Sequence, residues 1–268
     1  MPANIVLKPI GIVISRYSDP KRPSDTHEKA AIEIHPEYEK ALLRIREHSH
    51  FWILSWFHLM DRHALTAAPC RLNHHLPEYG VFGLRSPARP NPIGLSLVKL
   101  DRVEGMRLYV TGLDAVDGTP VLDIKPYFED DIIFSPRTPH IYPLNREMHR
   151  SILLKQALAH HQEDCTDLLL AVRMSLIATE RLGQLNSPDL YVTVEGSPCL
   201  ADTIQGLSRA RLANPPRFTY RPAASPGRTT WRRGERVLSI TARQRLEKED
   251  FLGLSDADIL EVKERKDE

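Results

Sequence analysis

Over the first half of the chain, apolar and β-branched residues come in short runs, at 5–14, 30–34, 51–58, 80–84, 95–100, 108–113 and 120–126. Turn chemistry separates several of them, at 20–24, 101–105 and 117–119, so each run reads as a strand. One segment breaks this rhythm: 36–47 carries Tyr38, Ala41, Leu42 and Ile45 at helical spacing, with Pro36 in its first turn. Closely spaced strands without regularly alternating helices predict an antiparallel β-barrel or a strongly bent sheet. After about residue 142 the period lengthens. Segments 148–160 and 164–182 predict long helices, the second through Leu168, Leu169, Val172, Met174, Leu176 and Ile177; a strand at 190–195 and a short helix at 200–207 follow. With four prolines, 214–227 reads as a loop or clamp. A terminal helix is expected at 254–263, with Ser255 as its N-cap and Asp256 and Asp258 in its first turn. The chain therefore divides into a mainly β domain, 1–145, and an α+β domain, 146–268.

Composition narrows the class. In 268 residues there are 21 prolines but only 13 glycines, and no two glycines stand in a G-x-G arrangement. The dinucleotide fingerprint is thereby excluded, and the phosphate loop is too, because no glycine is followed by a lysine. No window approaches the roughly 18 uninterrupted apolar residues of a membrane span. The first fifteen residues lack the ordered zones of a secretion signal, so no membrane partner and a cytoplasmic location are expected. Cys70, Cys165 and Cys199 are an odd number at wide spacing, which fits reduced thiols.

A net charge of +1 hides a strong asymmetry. Segment 207–246 holds ten arginines against the single acid Glu235, and 247–268 reverses this with nine acids and four bases. One reading is a phosphate-contacting surface with Tyr220 and Trp231 available for base stacking. The other is a solvated arginine-rich face partly paired with the acidic tail.

Candidate chemistry is densest at Arg85-Ser86-Pro87-Ala88-Arg89-Pro90-Asn91-Pro92-Ile93-Gly94. Three prolines stiffen a backbone from which two guanidinium groups and an amide project, a loop that loses little entropy when a polar ligand arrives. A second cluster spans 113–127, where Asp114 and Asp117 bracket a turn and Asp123 and Lys125 share one face of the following strand. That last pair reads equally as a surface ion pair or as a ligand contact. The third cluster, 48–58, alternates so that His50, Trp52, Leu54 and Trp56 lie on one side; His50 reads as a core histidine or a functional one.

GVFGLRSPARPNPIGLSLVKL, with LDAVDGTPVLDIKPY, PIGIV and HSHFWIL, resembles the TsaA-like family over roughly the first 145 residues. The resemblance implies a β-barrel methyltransferase that uses S-adenosylmethionine, works as a homodimer and acts on threonylcarbamoyl-adenosine in tRNA. It assigns cofactor binding to Phe82, Arg85, Ser86, Arg89, Asn91, Pro92, Ile93 and Gly94, with Asp114, Asp117 and Lys125 beside them, and leaves Asp123, His50 and Tyr127 as candidate catalytic groups. One departure is Leu84, where the family often carries a threonine. The second half is similar to the FmdE-type domain through His161, Cys165 and Cys199, which implies a zinc site or its packed relic. Glu163 replaces that domain's middle histidine, and 206–212 lacks its further cysteine. Three readings follow: tRNA as acceptor, a small molecule or metal-bound substrate held by the second domain, or a binding module without turnover.

Overall fold

Period-two alternation builds the first unit. Its strands are β1 (Gly11–Ile14), β2 (Lys29–Ile34), β3 (His50–Trp56), β4 (Thr66–Ala67), β5 (Tyr79–Gly80), β6 (Ile93–Glu104), β7 (Arg107–Thr111) and β8 (Pro120–Pro126). In this computed structural model, which describes residues 5–20, 29–134, 136–224 and 226–266, six of them form a closed antiparallel barrel in the order β1-β2-β7-β6-β3-β8, with β8 pairing back onto β1. β4 and β5 make a separate two-stranded ribbon. Phe51, Ile53 and Ser55 of β3 point inward and are buried, whereas His50, Trp52, Leu54 and Trp56 lie half-buried on the outside. Val13, Ile32, Phe51, Ile53, Val98, Leu108, Val110 and Val121 fill the interior.

Three expected elements take another form. The run 5–14 is strand only over its last four residues, since Pro9 has no N–H for a ladder and Ile5, Val6 and Leu7 are exposed. The helix expected at 36–47 is two 3-10 turns, Pro36–Leu42 and Ile45–Glu47, parted at Arg44 by a left-handed φ of 65°. Its apolar stripe still works, because Tyr38, Leu42 and Ile45 pack on the barrel core. The run 80–84 is mostly a 3-10 turn, Val81–Gly83. Of the turn expected at 20–24, residues 21–24 lie outside the described residues.

The second unit contains α1 (Arg146–His161), α2 (Thr166–Leu182), β9 (Leu190–Gly196), α3 (Pro198–Ser208), β10 (Phe218–Pro222), β11 (Arg228–Arg233), β12 (Arg236–Ala242), α4 (Asp250–Gly253), α5 (Asp256–Ile259) and β13 (Leu260–Lys266). The sheet order is β10-β9-β11-β12-β13, with only the β9–β10 pair parallel. α2 and α3 cover the sheet through Leu170, Met174, Leu200 and Ile204 against Val192, Val194, Trp231 and Ile240. α1 packs on α2 and α3 through Leu153, Ala157, Leu176 and Leu207.

Each long helix starts on a side-chain cap: Asn145 accepts from Met148 N–H at 2.9 Å, Cys165 Sγ from Leu168 N–H at 3.4 Å, and Ser197 from Leu200 N–H at 3.1 Å. Two expectations fail in this unit. Segment 214–227 contains the strand β10, and the terminal helix stops after one turn, where residues 260–266 add to the edge of β12. Contacts divide the chain as Met1–Pro69 with Leu76–Ile132, and Cys70–His75 with Ile133–Glu268. Among the described residues, no helix is long and apolar enough to cross a membrane.

Candidate functional site

Strand register gathers the chemistry of the barrel at one end. Trp56 pairs with Ile93 and Ser55 with Val121, so the end of β3 lies beside the starts of β6 and β8. Segments 57–65, 81–92 and 112–119 meet there. Backbone hydrogen bonds bind the first two, Phe57 N–H to Pro92 O at 2.8 Å and Arg89 N–H to Asp61 O at 3.1 Å, while Asp117 N–H to Tyr17 O at 2.6 Å ties the third to the segment after β1.

Within this cluster the side chains have different tasks. Arg89 donates from Nε to Ser86 O at 2.9 Å and from Nη2 to Val81 O and Leu84 O, so its guanidinium braces the loop from inside. The Asp117 carboxylate accepts from Ser15 N–H at 2.9 Å and holds the neighbouring segment. Pro92 and Gly94 are buried. A Cβ on Gly94 would come 2.3 Å from the Phe57 ring and 2.7 Å from Ser55 Oγ, which is why glycine stands second in β6. Ser86 is half-buried, its hydroxyl donating to Ala88 O at 3.3 Å. Arg85, Asn91, Asp114 and Ile93 are exposed, as is Phe82, a residue 84% accessible. An exposed aromatic ring, a guanidinium, an amide and a carboxylate on a braced loop cluster suit a ligand with an aromatic base and both kinds of charge. The Ser55 and Thr119 hydroxyls, buried near this end without hydrogen-bond partners, mark a polar lining under the loops.

The candidate proton acceptors lie elsewhere. His50 begins β3, six residues before Trp56, so at about 3.3 Å per residue it is roughly 20 Å along the strand from the loop cluster. Tyr127 goes with it: Tyr127 N–H donates to His50 O at 3.0 Å, and the ring lies 5.9 Å from Trp52. His50 itself meets Ser49 Oγ at 2.8 Å through Nδ1 and is no core residue. Asp123 sits opposite Leu54, between the two ends, and Lys125 sits opposite Trp52. Lys125 Nζ lies 2.9 Å from Asp123 Oδ2, so the lysine belongs with that carboxylate instead of the loop. Asp123 also borders a cavity of about 500 Å3 below the 3-10 turns, together with Tyr38, Leu42, His48 and Phe51. Arg62, unmarked by any motif, lies 5.2 Å over the Trp56 ring and donates to Pro90 O at 3.4 Å. Only the fold brings it to the loop.

In the second unit, His161, Cys165 and Cys199 have donor atoms within 4.8 Å of one another. His161 ends α1, Cys165 caps α2 and Cys199 stands in the first turn of α3, so both sulfurs lie at positive helix ends. Burial, with Cys165 adding to it, pushes the Cys199 thiol pKa up. Two thiols and an imidazole so placed fit a thiophilic divalent ion such as zinc, whose charge would reverse that shift. Both cysteines border a cavity of about 430 Å3 that also reaches Asp167, Ser197, Gln244 and Arg245.

The arginine block does not form one surface. Arg217 is buried and donates to Ser187 O, Leu190 O and Arg209 O, and Arg233 donates to Leu182 O and pairs with Asp189. Arg236 pairs with Glu264 of the tail, and Arg221 and Arg228 flank Glu195. Trp231 is fully buried, so the expected base stacking on it is ruled out.

A closed antiparallel barrel with a proline-stiffened, arginine-braced loop cluster is a fold class distinct from the glycine-loop nucleotide folds. The family model described as the tRNA-methyltransferase O N-terminal domain matches residues 14–131, and the one described as FmdE, Molybdenum formylmethanofuran dehydrogenase operon, matches residues 160–247. A probable S-adenosyl-L-methionine-binding protein of Archaeoglobus fulgidus is 36% identical over 221 residues, covering 78% of this chain and 60% of that protein. One from Methanothermobacter thermautotrophicus is 43% identical over 130 residues, 47% of this chain and 92% of the relative. The tRNA (adenine(37)-N6)-methyltransferase of Mus musculus is 42% identical over 138 residues, 47% of this chain but 32% of that enzyme. The chain belongs to the family of the tRNA-methyltransferase O N-terminal domain, joined here to an FmdE-type unit.

Proposed function

We propose that this protein is an S-adenosylmethionine-dependent methyltransferase whose acceptor is threonylcarbamoyl-adenosine in tRNA. The observation that carries the reading is the braced loop cluster at one barrel end, in a chain of this family. When bound, the cofactor supplies a methyl group on a sulfonium that already leaves readily, so the protein's task is alignment and removal of one proton. With the cofactor bound, Phe82 would offer its ring to the adenine, Arg85 and Asn91 would hold the methionyl carboxylate, and Asp114 would accept from ribose hydroxyls or the amino group. Ser86, Arg89, Pro92, Gly94 and Asp117 set the backbone on which these act. Asp123 is the candidate base nearest the loops; His50 and Tyr127 lie too far along β3 to serve the same copy's loops. Ile93, Leu95 and Leu97 of β6 are 38–46% exposed beside Trp52, Leu54 and Trp56, an apolar barrel face that supports a homodimer. Free thiols at all three cysteines and the tRNA acceptor accord with a cytoplasmic setting.

The test is transfer of labelled methyl groups to bulk tRNA by the purified chain, with cofactor affinity measured by calorimetry. Arg85→Ala and Asn91→Ala should each weaken cofactor binding at least tenfold with unchanged circular dichroism. Cofactor affinity equal to wild type in both variants removes the site assignment.

A second reading has its own observation. The His161–Cys165–Cys199 trio beside a cavity of about 430 Å3 supports zinc binding and a small-molecule or metal-bound acceptor in the second unit. Label found in small molecules but not tRNA selects it. Cofactor binding without transfer to either selects a non-catalytic binding module. Elemental analysis of the purified protein reads the zinc directly.

A further inference from the structure

Asp202 stands one turn along α3 from Cys199, on the same helical face. Its carboxylate is shared between two histidines at the end of α1. Oδ2 lies 2.7 Å from His161 Nδ1, and Oδ1 lies 3.2 Å from His160 Nε2. On the other edge of the His161 ring, Nε2 lies 3.5 Å from Cys165 Sγ. The His161 side chain is only 9% exposed, so its ring has few other partners to turn toward. His160 is fixed too, because it packs where Gly206 has no side chain: a Cβ there would lie 2.3 Å from the imidazole.

An ionised carboxylate can only accept, so the His161 nitrogen beside it is the one that carries hydrogen. A neutral imidazole protonated on Nδ1 has its lone pair on Nε2, the nitrogen that faces the Cys165 sulfur. With His160 donating to the second oxygen, the carboxylate is held from both sides and cannot rotate away. This rests on the reading that the trio holds a metal. We propose that Asp202 is the positioning residue of that site, setting the tautomer and ring orientation of His161 before any ion arrives.

The full chain, stripped of metal, is titrated with cobalt(II) as a spectroscopic probe, and 15N spectra of the histidines are recorded on the metal-free protein. Wild type should show His161 as the Nδ1–H tautomer. Asp202→Ala should mix the tautomers and weaken cobalt affinity by about 10- to 100-fold, while the thiolate-to-cobalt absorption at saturation stays as in wild type. Asp202→Asn, whose amide oxygen still accepts from Nδ1–H, should recover most of that loss. Cobalt bound equally tightly by wild type and Asp202→Ala overturns the positioning role and leaves the metal reading standing. No binding by wild type overturns both. Should Asp202→Ala fail to fold, the wild-type spectrum decides, since an Nε2–H tautomer of His161 overturns the proposal on its own.

Discussion

Two arginines show how one residue type serves opposite ends. Arg89 lies in a motif rich in ligand chemistry, yet its guanidinium faces the loop's own carbonyls. Arg173 sits in the buried helix α2, where a cation is costly, and its Nη1 meets Asp256 Oδ1 at 2.6 Å while Nη2 donates to Phe251 O at 2.8 Å. Asp256→Ala leaves that charge buried and unpaired, so unfolding of the second unit should be easier by about 3 kcal/mol in denaturant titration. A change below about 0.5 kcal/mol would show that water already satisfies Arg173. Gly94→Ala should cost about 1–3 kcal/mol, since its Cβ must displace the Phe57 ring. His140 and His149 add a pH response. Burial lowers the pKa of both, with the charges of His149 and Arg233 adding to the effect on His140. The unfolded chain then binds more protons below the usual histidine value of about 6.5. Stability is full above that value and falls as pH drops through it, levelling once both states are protonated. Thermal melts from pH 7.5 to 5 should show this fall, and replacing both histidines with glutamine should flatten it.

At the scale of elements, most of the strands and all three long helices were legible because their apolar period is unbroken and their ends carry caps or turns. The misses have local physical causes. A helical stripe over 36–47 packs as expected, but two 3-10 turns parted at Arg44 satisfy the same contacts. Residues 254–263 carry a good N-cap at Ser255, and the helix begins there, yet Ile240 and Val262 pair across β12 and β13. An unpaired β12 edge outweighs a marginal short helix. In the basic block, ten arginines concealed the alternation of β11 and β12 and their two-residue turn at Gly234, where φ is +58°. Ending the chain at Ile259 should expose the β12 edge and lower the melting temperature of the second unit. An unaltered melt and unaltered solubility would show that β13 is dispensable.

For the whole molecule, the outer barrel face and the dispersed arginines bear on assembly and substrate. Leu95→Glu combined with Leu97→Glu should shift the proposed dimer to monomer in sedimentation without loss of β-sheet signal, because charge is costly to bury in an apolar interface. Dimers that persist would place the contact on another face. The change from a strand-rich first half to a helix-rich second, and the proline-stiffened loop that carries the family resemblance, were legible in the sequence, because local period, turn chemistry and a rigid contiguous motif need no partner to be read. Whether the strands close into a barrel or form a bent sheet was not. Tertiary structure decided which side chains share a site. Strand pairing set Tyr127 beside His50, at the far end of β3 and about 20 Å from the loop cluster. Helix packing brought Asp202 to His161, and pairing with carbonyls and acids took several arginines out of any single surface. Such contacts depend on strand register and helix docking between residues far apart in the chain, and neither is written in a local pattern.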